Sequence, residues 1–341
     1  MMPLHAALAS KLYLLEDLPG RSDGPLTREQ EARLSAFLDE RGEPPPAAVS
    51  PLAIPGRHGN VPARVYSPLG PAPATGRCFV WVHGGGWMFG DLDMAEADWT
   101  AREVVSRTGA TVVSVDYRKA VDGVTFPVPL DDVVDALAWV RDHRYEAGTG
   151  AGPLSVGGAS AGANLAAGAV LRLRDEEAWL PAHVVLAYPA VHAVLPAPSP
   201  DLTGLMAGLP RAVRLLDRYG PVFENYLGGP PGTADGYAAP ALADLGGFPP
   251  TTVLNAEYDD LRPSGEAFTA ALATAGADVS QVLVRGTLHG FLSRPGTEEP
   301  TAHALDVMAH HLTPGSPREA GPAAGLRNPR ARHRRKIIPA P

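Results

Sequence analysis

The chain has 341 residues, of which 45% are hydrophobic and 19% are charged, proportions typical of a globular protein with one large α/β domain or two small ones. Its formal net charge is −8, but the segment from Arg318 to the end carries seven basic residues and one acidic residue, so the rest of the chain carries −14. A body this acidic argues against nucleic acid as the substrate. The single cysteine, Cys78, excludes an internal disulfide framework, and its apolar neighbours predict a buried strand residue.

Residues 1–45 carry helical patterns, including Thr27–Arg41, and are expected to form an N-terminal helical cap segment. The alternative is a pair of helices that packs elsewhere on the sheet. The N-terminus lacks a cationic start, a long apolar run and a cleavage site of small residues, so we expect a cytoplasmic location. No part of the sequence approaches the roughly 20 apolar residues that a membrane span needs.

Short β-branched runs alternate with helical patterns from residue 77 onward. Apolar strands with helical crossovers predict a mostly parallel sheet with helices on both faces. Two earlier strand candidates, Ala47–Ile54 and Pro62–Tyr66, are expected to pair antiparallel at one edge. The later candidates are Phe79–Val82, Thr111–Val115, Leu154–Val156, Val184–Ala187, Thr251–Asn255 and Val279–Val284. Helical patterns lie between them, such as Asp131–Arg144 and Pro263–Ala275.

The main domain is expected to span residues 46–314 and to contain one long insertion. This insertion, at about 192–236, is dense in Pro and Gly and has a helical stretch near Arg211–Leu227. Insertions of this length are usually functional, and we expect this one to cap the end of the sheet where the loops gather. Residues 315–341 are rich in Pro, Gly, Ala and Arg, a composition that predicts a disordered basic tail.

Residues 158–162 read Gly-Ala-Ser-Ala-Gly, the G-x-S-x-G pattern of a nucleophile elbow. The pattern follows a strand candidate and precedes an Ala/Leu-rich helical stretch, Ala161–Arg174. Small residues suit such an elbow because the chain turns sharply from strand to helix and holds the serine in a strained conformation. The elbow predicts Ser160 as a nucleophile at a helix N-terminus, where free N–H groups face an oxyanion.

Residues 83–87 read His-Gly-Gly-Gly-Trp and directly follow the strand candidate Phe79–Val82. A run of glycines lets the backbone approach a ligand closely and direct successive N–H groups at one point. This is what the second half of an oxyanion hole requires. His83 itself is expected to form hydrogen bonds within the loop rather than to act as a base.

Together these motifs resemble the bacterial hormone-sensitive-lipase family of α/β-hydrolases. The resemblance covers about residues 60–310 and implies an α/β-hydrolase fold, with a mostly parallel sheet of about eight strands and a helical cap. The other segments that match the family are Asp116-Tyr117-Arg118, Phe126-Pro127, Asp131-Asp132, Phe248-Pro249-Pro250, Glu257–Arg262 and His289-Gly290-Phe291.

Residue by residue, the resemblance implies Ser160 as the nucleophile, Asp259 as the acid and His289 as the general base. This order along the chain, Ser then Asp then His, is that of α/β-hydrolases. Each of the three also follows a predicted strand, so they are expected at the same end of the sheet. The resemblance further implies that backbone N–H groups stabilise the oxyanion, those of Gly84, Gly85 and Ala161.

Two positions and one segment complicate the resemblance. Asp260 is adjacent to Asp259 and could be the orienting carboxylate instead. Ala159 stands where the family usually has an Asp in the elbow, a side chain outside the triad, so we expect activity with altered substrate preference or pH profile. Residues 119–123 depart from the L-A-P-E segment that is usual after Arg118, which affects the expected packing near the site.

The resemblance implies a serine carboxylesterase that hydrolyses short- to medium-chain acyl esters, with a small-molecule ester as its partner. Two alternatives stay open, an amide- or acyl-transfer hydrolase with the same triad, such as a deacylase or an arylformamidase-like enzyme, and a non-catalytic receptor for small ligands. The chemistry needs no metal or organic cofactor. Because family members often dimerise through the last strand and helix, the resemblance also allows a homodimer.

Overall fold

The structure is a computed structural model that describes residues 4–19, 26–38, 42–70 and 76–313. Within these residues, eight strands form one sheet. In chain order they are β1 (Ala48–Ile54), β2 (Val61–Ser67), β3 (Cys78–Val82), β4 (Thr111–Val115), β5 (Leu154–Ala159), β6 (Val184–Ala187), β7 (Thr251–Tyr258) and β8 (Val279–Leu288). Their order across the sheet is β1-β2-β4-β3-β5-β6-β7-β8.

The sheet is mostly parallel, as the sequence predicts. Strand β2 pairs antiparallel with both β1 and β4, and every other neighbouring pair is parallel. This arrangement confirms the predicted α/β-hydrolase fold, including the antiparallel edge. In the parallel pair of β3 and β5, Val82 lies opposite Gly158. This register places the loop that follows β3 beside the turn that follows β5.

Helices cover both faces of the sheet. In chain order they are α1 (Ala6–Ala9), α2 (Arg28–Leu38), α3 (Ala95–Thr108), α4 (Val128–Asp142), α5 (Ala161–Glu177), α6 (Pro200–Ala207), α7 (Leu216–Leu227), α8 (Arg262–Thr274) and α9 (Glu299–Leu312). Helices α3 and α9 pack on one face, around Phe79 and Trp81. Helices α4, α5 and α8 pack on the other face, around Val80 and Val82, together with the buried Cys78. Alternate residues of β3 thus belong to different cores, as the period of a strand requires.

The N-terminal segment and the long insertion meet in a third apolar cluster. Leu15 and Phe37 from the N-terminal segment pack with Leu202 and Met206 of α6. The same cluster contains Tyr258 and Leu288. Residue 258 directly precedes Asp259, and residue 288 directly precedes His289, so these helical segments pack against the ends of β7 and β8.

The helices of the insertion differ from the sequence-based expectation. The insertion contains an additional helix, α6, and the stretch expected near Arg211–Leu227 becomes α7, which begins at Leu216. Before it, Arg211–Val213 forms a short 3-10 turn, and extended backbone at Arg214 separates the two. The end of the helix expected over Thr27–Arg41 and the tail at 315–341 lie outside the described residues. None of the described helices is long and apolar enough to cross a membrane.

Candidate active site

Ser160 lies at the turn between β5 and α5 and has φ 53° and ψ −117°. A positive φ is unfavourable for a residue with a Cβ atom and persists only where the surroundings impose it. The glycines on either side allow this turn. A Cβ atom on Gly158 would lie 2.4 Å from the carbonyl oxygen of Gly162, and one on Gly162 would lie 2.1 Å from that of Val82. Larger residues would therefore push α5 away from the strands.

The structure brings Ser160, His289 and Asp259 together in one chain of hydrogen bonds. His289 Nε2 lies 2.9 Å from Ser160 Oγ, and His289 Nδ1 lies 2.7 Å from Asp259 Oδ2. A carboxylate accepts only, so Nδ1 carries the proton of a neutral imidazole and Nε2 is free to accept from the serine hydroxyl. The second oxygen of the buried Asp259 accepts from the N–H of Leu261 at 2.9 Å. Both oxygens of this carboxylate are thereby held in place.

Asp260, the alternative carboxylate, lies in another environment. Its Oδ2 atom accepts from backbone N–H groups at the start of α7.

The His289 ring also contacts Tyr188, whose ring centroid lies 4.8 Å away in an edge-to-face arrangement. Tyr188 in turn packs edge-to-face on Phe291. The imidazole is thus restrained by Asp259 on one side and by aromatic packing on another.

One of the three backbone N–H groups that are expected to bind the oxyanion already has another acceptor. The N–H of Gly84 donates to Glu96 Oε2 at 2.6 Å. The structure does not support Gly84 as an oxyanion donor, because this N–H is already taken by a buried carboxyl group. Gly85 and Gly86 line the same cavity as Ser160, and within the described part of the chain their N–H groups and that of Ala161 have no protein acceptor.

Glu96, which the sequence analysis did not single out, accounts for this difference. Its side chain is buried beside the glycine loop and also accepts from Trp81 Nε1 at 2.9 Å. Burial raises the pKa of Glu96 above its usual value, although the N–H groups of Gly84 and Trp81 oppose the shift. The acid is in the first turn of α3, and no local motif distinguishes it from the other acids of that helix.

His83 is fully buried and forms hydrogen bonds within the loop, as expected. Its Nδ1 atom lies 2.7 Å from the carbonyl oxygen of Gly84. The ring stacks on Tyr117, with centroids 4.6 Å apart, and the Tyr117 hydroxyl donates to the carbonyl groups of His83 and Gly84. The carbonyl groups of His83 and Gly84 are therefore satisfied by buried side chains behind the loop.

Ser160 opens into a cavity of about 430 Å³ lined mainly by apolar side chains. A neighbouring cavity of about 340 Å³ is lined by the N-terminal segment and the insertion. The two cavities share four residues, Met94, Leu215, Arg218 and His289. No group of three or more His, Cys, Asp or Glu side chains in the described ranges is arranged to hold a metal ion.

A family model described as "alpha/beta hydrolase fold" matches residues 79–293, which include Ser160, Asp259 and His289. The chain belongs to this α/β-hydrolase family. The match confirms the resemblance to the hormone-sensitive-lipase-like enzymes that the motifs indicate. It covers strands β3 to β8 and the insertion.

Curated relatives in this α/β-hydrolase family include one archaeal enzyme and one bacterial enzyme. An arylesterase from Saccharolobus solfataricus is 32% identical over 70% of this chain and 74% of its own. The carboxylic ester hydrolase LipN from Mycobacterium tuberculosis is 33% identical over 78% of this chain and 71% of its own. Among solved structures, a hyperthermophilic esterase from the archaeon Pyrobaculum calidifontis superposes with a TM-score of 0.76. It is 33% identical, and the match covers 91% of this chain and 98% of that one.

Proposed function

We propose that this α/β-hydrolase is a serine carboxylesterase in which Ser160 is the nucleophile, His289 the general base and Asp259 the orienting acid. The observation that carries the proposal is the unbroken hydrogen-bond chain from Ser160 Oγ through His289 to Asp259, next to open backbone N–H groups and an apolar cavity. Ester hydrolysis is also the activity in the names of the relatives from S. solfataricus and M. tuberculosis.

In the first half of the reaction, Ser160 Oγ attacks the ester carbonyl carbon while His289 Nε2 takes the hydroxyl proton. The tetrahedral intermediate collapses when the imidazolium gives this proton to the leaving alcohol oxygen, which leaves an acyl-enzyme. Water then attacks the acyl carbon with His289 again as base, and the acid product and free Ser160 form. The Asp259 carboxylate holds the productive tautomer and stabilises the transient imidazolium.

The developing negative charge on the carbonyl oxygen needs preorganised donors. We assign this role to the N–H groups of Gly85, Gly86 and Ala161, with Gly86 in place of Gly84. Removal of one such donor typically costs about 3 kcal/mol of transition-state stabilisation. The loop conformation requires glycine here, because Gly85 has φ +116° and a Cβ atom on it would lie 2.1 Å from the carbonyl oxygen of Phe89.

For the substrate we propose short- to medium-chain acyl esters, because about 430 Å³ is within the range of small-molecule sites and the lining is mainly apolar. The relatives from S. solfataricus and M. tuberculosis are named for ester hydrolysis and not for amide or acyl transfer, and a complete hydrogen-bonded Ser-His-Asp chain does not favour a non-catalytic receptor. A cytoplasmic location, a homodimer and the cap role of residues 1–45 and 192–236 stay predictions.

A fluorophosphonate probe tests the nucleophile directly, because it forms a covalent bond only with an activated serine. We expect stoichiometric labelling that peptide mapping places on Ser160, and none in Ser160→Ala. Ser160→Ala and His289→Ala should each lower kcat for p-nitrophenyl butyrate by about 10⁴-fold or more, and the double variant should be little worse. Near-normal activity of Ser160→Ala would overturn the assignment. Rates on matched ester and amide pairs then separate esterase from amidase.

A further inference from the structure

Lys119 lies directly behind the glycine loop, at the first position where the chain departs from the family's usual L-A-P-E segment. Its ammonium group is half-buried and has three polar partners, Asp116 Oδ1 at 2.6 Å, the carbonyl oxygen of Tyr117 at 2.6 Å and His83 Nε2 at 3.2 Å. It also lies 4.4 Å from the centre of the Tyr117 ring. A leucine could make none of the polar contacts.

The contacts of the His83 ring with the Gly84 carbonyl and with Lys119 indicate which ring nitrogen carries the proton. Nδ1 faces the carbonyl oxygen of Gly84, an acceptor, so Nδ1 must be the N–H. Nε2 is then the lone-pair nitrogen, and it faces the ammonium group of Lys119, which can only donate. Asp116 Oδ1 lies 3.5 Å from the same Nε2 atom. Burial alone would raise the pKa of Asp116, but the Lys119 ammonium group, which donates to its Oδ1 atom, opposes burial, and the pKa lies below its usual value.

The Gly84 carbonyl belongs to the same peptide unit as the N–H of Gly85. In a trans peptide the C=O and N–H groups point in opposite directions. His83 Nδ1 and the Tyr117 hydroxyl bind the carbonyl from behind, so the N–H of Gly85 faces the cavity. Burial raises the pKa of Tyr117 well above its usual value, which keeps its hydroxyl a donor. Glu96 fixes the preceding peptide by binding the N–H of Gly84.

We propose that Lys119 is a positioning residue for the oxyanion hole and acts through His83. The hydrogen bonds run in one direction, from the Lys119 ammonium to His83 Nε2, from Nδ1–H to the Gly84 carbonyl, and from the Gly85 N–H to the substrate oxyanion. A positive charge at one end and a developing negative charge at the other polarise each group in the same sense, and chains of this kind strengthen cooperatively. Lys119 also disfavours the other His83 tautomer, which would put a lone pair against the Gly84 carbonyl.

This inference rests on the proposed function, since it concerns the oxyanion of a Ser160 adduct. The test compares Lys119→Met, which keeps the length of the side chain and removes its charge, with the unaltered enzyme. We expect kcat for p-nitrophenyl butyrate to fall about tenfold with KM nearly unchanged, less than the roughly 10²- to 10³-fold loss for a donor removed outright. Affinity for an alkyl trifluoromethyl ketone should fall by the same factor, because its Ser160 adduct carries an oxyanion.

Arg57→Met is the matched control, because it also removes a cation from carboxylate partners, Asp131 and Asp135, outside the cavity. It should keep kcat and ketone affinity. The double variant Lys119→Met/Asp116→Asn removes the carboxylate left without its cation and should show the same loss of ketone affinity in a stably folded protein.

Unchanged kcat and ketone affinity in both Lys119 variants would overturn the inference. A fall in melting temperature with unchanged ketone affinity would overturn it as well, because that result marks a purely structural lysine. Ser160→Ala, measured in parallel, separates the two hypotheses. Its inactivity alongside fully active Lys119 variants refutes only the positioning role, whereas its activity refutes the proposed function.

Discussion

Asp260 caps helix α7, which belongs to the long insertion, and Leu216 is the first residue of that helix. Asp260 Oδ2 accepts from the N–H of Leu216 at 3.0 Å and from the N–H of Leu215 at 2.6 Å. Burial raises the pKa of Asp260, although these N–H groups oppose the shift. The preceding residue, Asp259, binds His289 instead. Two adjacent carboxylates therefore serve different parts of the molecule.

This separation predicts different outcomes for the two carboxylates. Asp259→Asn should lower kcat by about 10⁴-fold, because the amide group favours the wrong imidazole tautomer. Asp260→Asn should be mild, since its amide oxygen still accepts from the helix. Asp260→Ala should cost about 1 kcal/mol of stability, as the loss of a helix cap does. The measurements are kcat for p-nitrophenyl butyrate and denaturant unfolding. A larger kcat loss in Asp260→Asn than in Asp259→Asn would contradict the assignment.

The sequence predicts the sheet well because the signals there are local. Each predicted strand appears in the structure, and Thr111–Val115 and Val184–Ala187 have the predicted bounds. These runs are apolar, short and bounded by turn residues, so their length and their composition both indicate buried strands. Ser160, Asp259 and His289 meet for the same reason, since parallel strands bring their carboxyl ends together at one edge of the sheet.

The sequence could not show how the N–H groups of the glycine loop are divided. Three consecutive glycines offer equivalent donors, and only the buried Glu96 removes one of them. Helix α6 was missed for a different reason. Ser199 caps it by accepting from the N–H of Leu202 at 3.2 Å, and Pro200 is its first residue, but the high Pro and Gly content of the insertion does not favour a helix. The Ser-Pro pair is a helix start signal.

Both carboxyl oxygens of Glu96 accept a hydrogen bond, so Glu96→Gln should leave one buried donor without an acceptor. The carboxyl group accepts from both Gly84 and Trp81, whereas an amide presents one acceptor and one donor, so one N–H loses its partner. An unsatisfied buried donor costs about 1–3 kcal/mol. We expect a lower melting temperature and a lower kcat, since the glycine loop shifts.

Glu103→Gln is the control for Glu96→Gln, because Glu103 is also a buried acid of α3 but pairs with Arg107 outside the cavity. It should keep kcat whatever its effect on stability. Thermal unfolding and steady-state kinetics of both variants decide the matter. If Glu96→Gln retained full kcat, the loop geometry would not depend on this acid.

His183 predicts how stability depends on pH. Burial, with a smaller effect from His311, lowers the pKa of His183 to about 4, while the unfolded chain titrates near the ordinary value of 6.5. The unfolded state therefore binds more protons in this window, and stability should fall as the pH drops from 6.5 to 4, by up to about 3 kcal/mol. His183→Gln can still bond to the Thr252 hydroxyl but does not titrate, so its stability should vary less with pH. The measurement is urea unfolding of both proteins across this pH range, and an equally steep curve for His183→Gln would contradict the lowered pKa.

We expect the N-terminal segment to influence the acyl-length preference, because it lines the cavity of about 340 Å³. Leu15, Leu34 and Phe37 line this cavity, which shares His289 and three other lining residues with the cavity at Ser160. If the segment is a cap, deletion of residues 1–40 should leave a folded protein with sharply reduced activity and an altered preference, because a lid excludes water from the oxyanion site. The measurement is kcat/KM across p-nitrophenyl esters from acetate to decanoate, with circular dichroism to confirm the fold.

A point variant keeps the segment in place and changes only the volume of that cavity. Leu34→Trp should lower kcat/KM for decanoate much more than for acetate, because the added ring occupies space that only a long chain reaches. Tyr13→Trp is the matched control, since Tyr13 lies in the same segment but is 62% exposed and does not line the cavity. It should reproduce the unaltered chain-length profile. The alternative is a helical pair with no part in the site, and it requires that Leu34→Trp and the folded deletion variant also keep that profile. A changed profile in either variant, with an unchanged profile in Tyr13→Trp, would favour the cap.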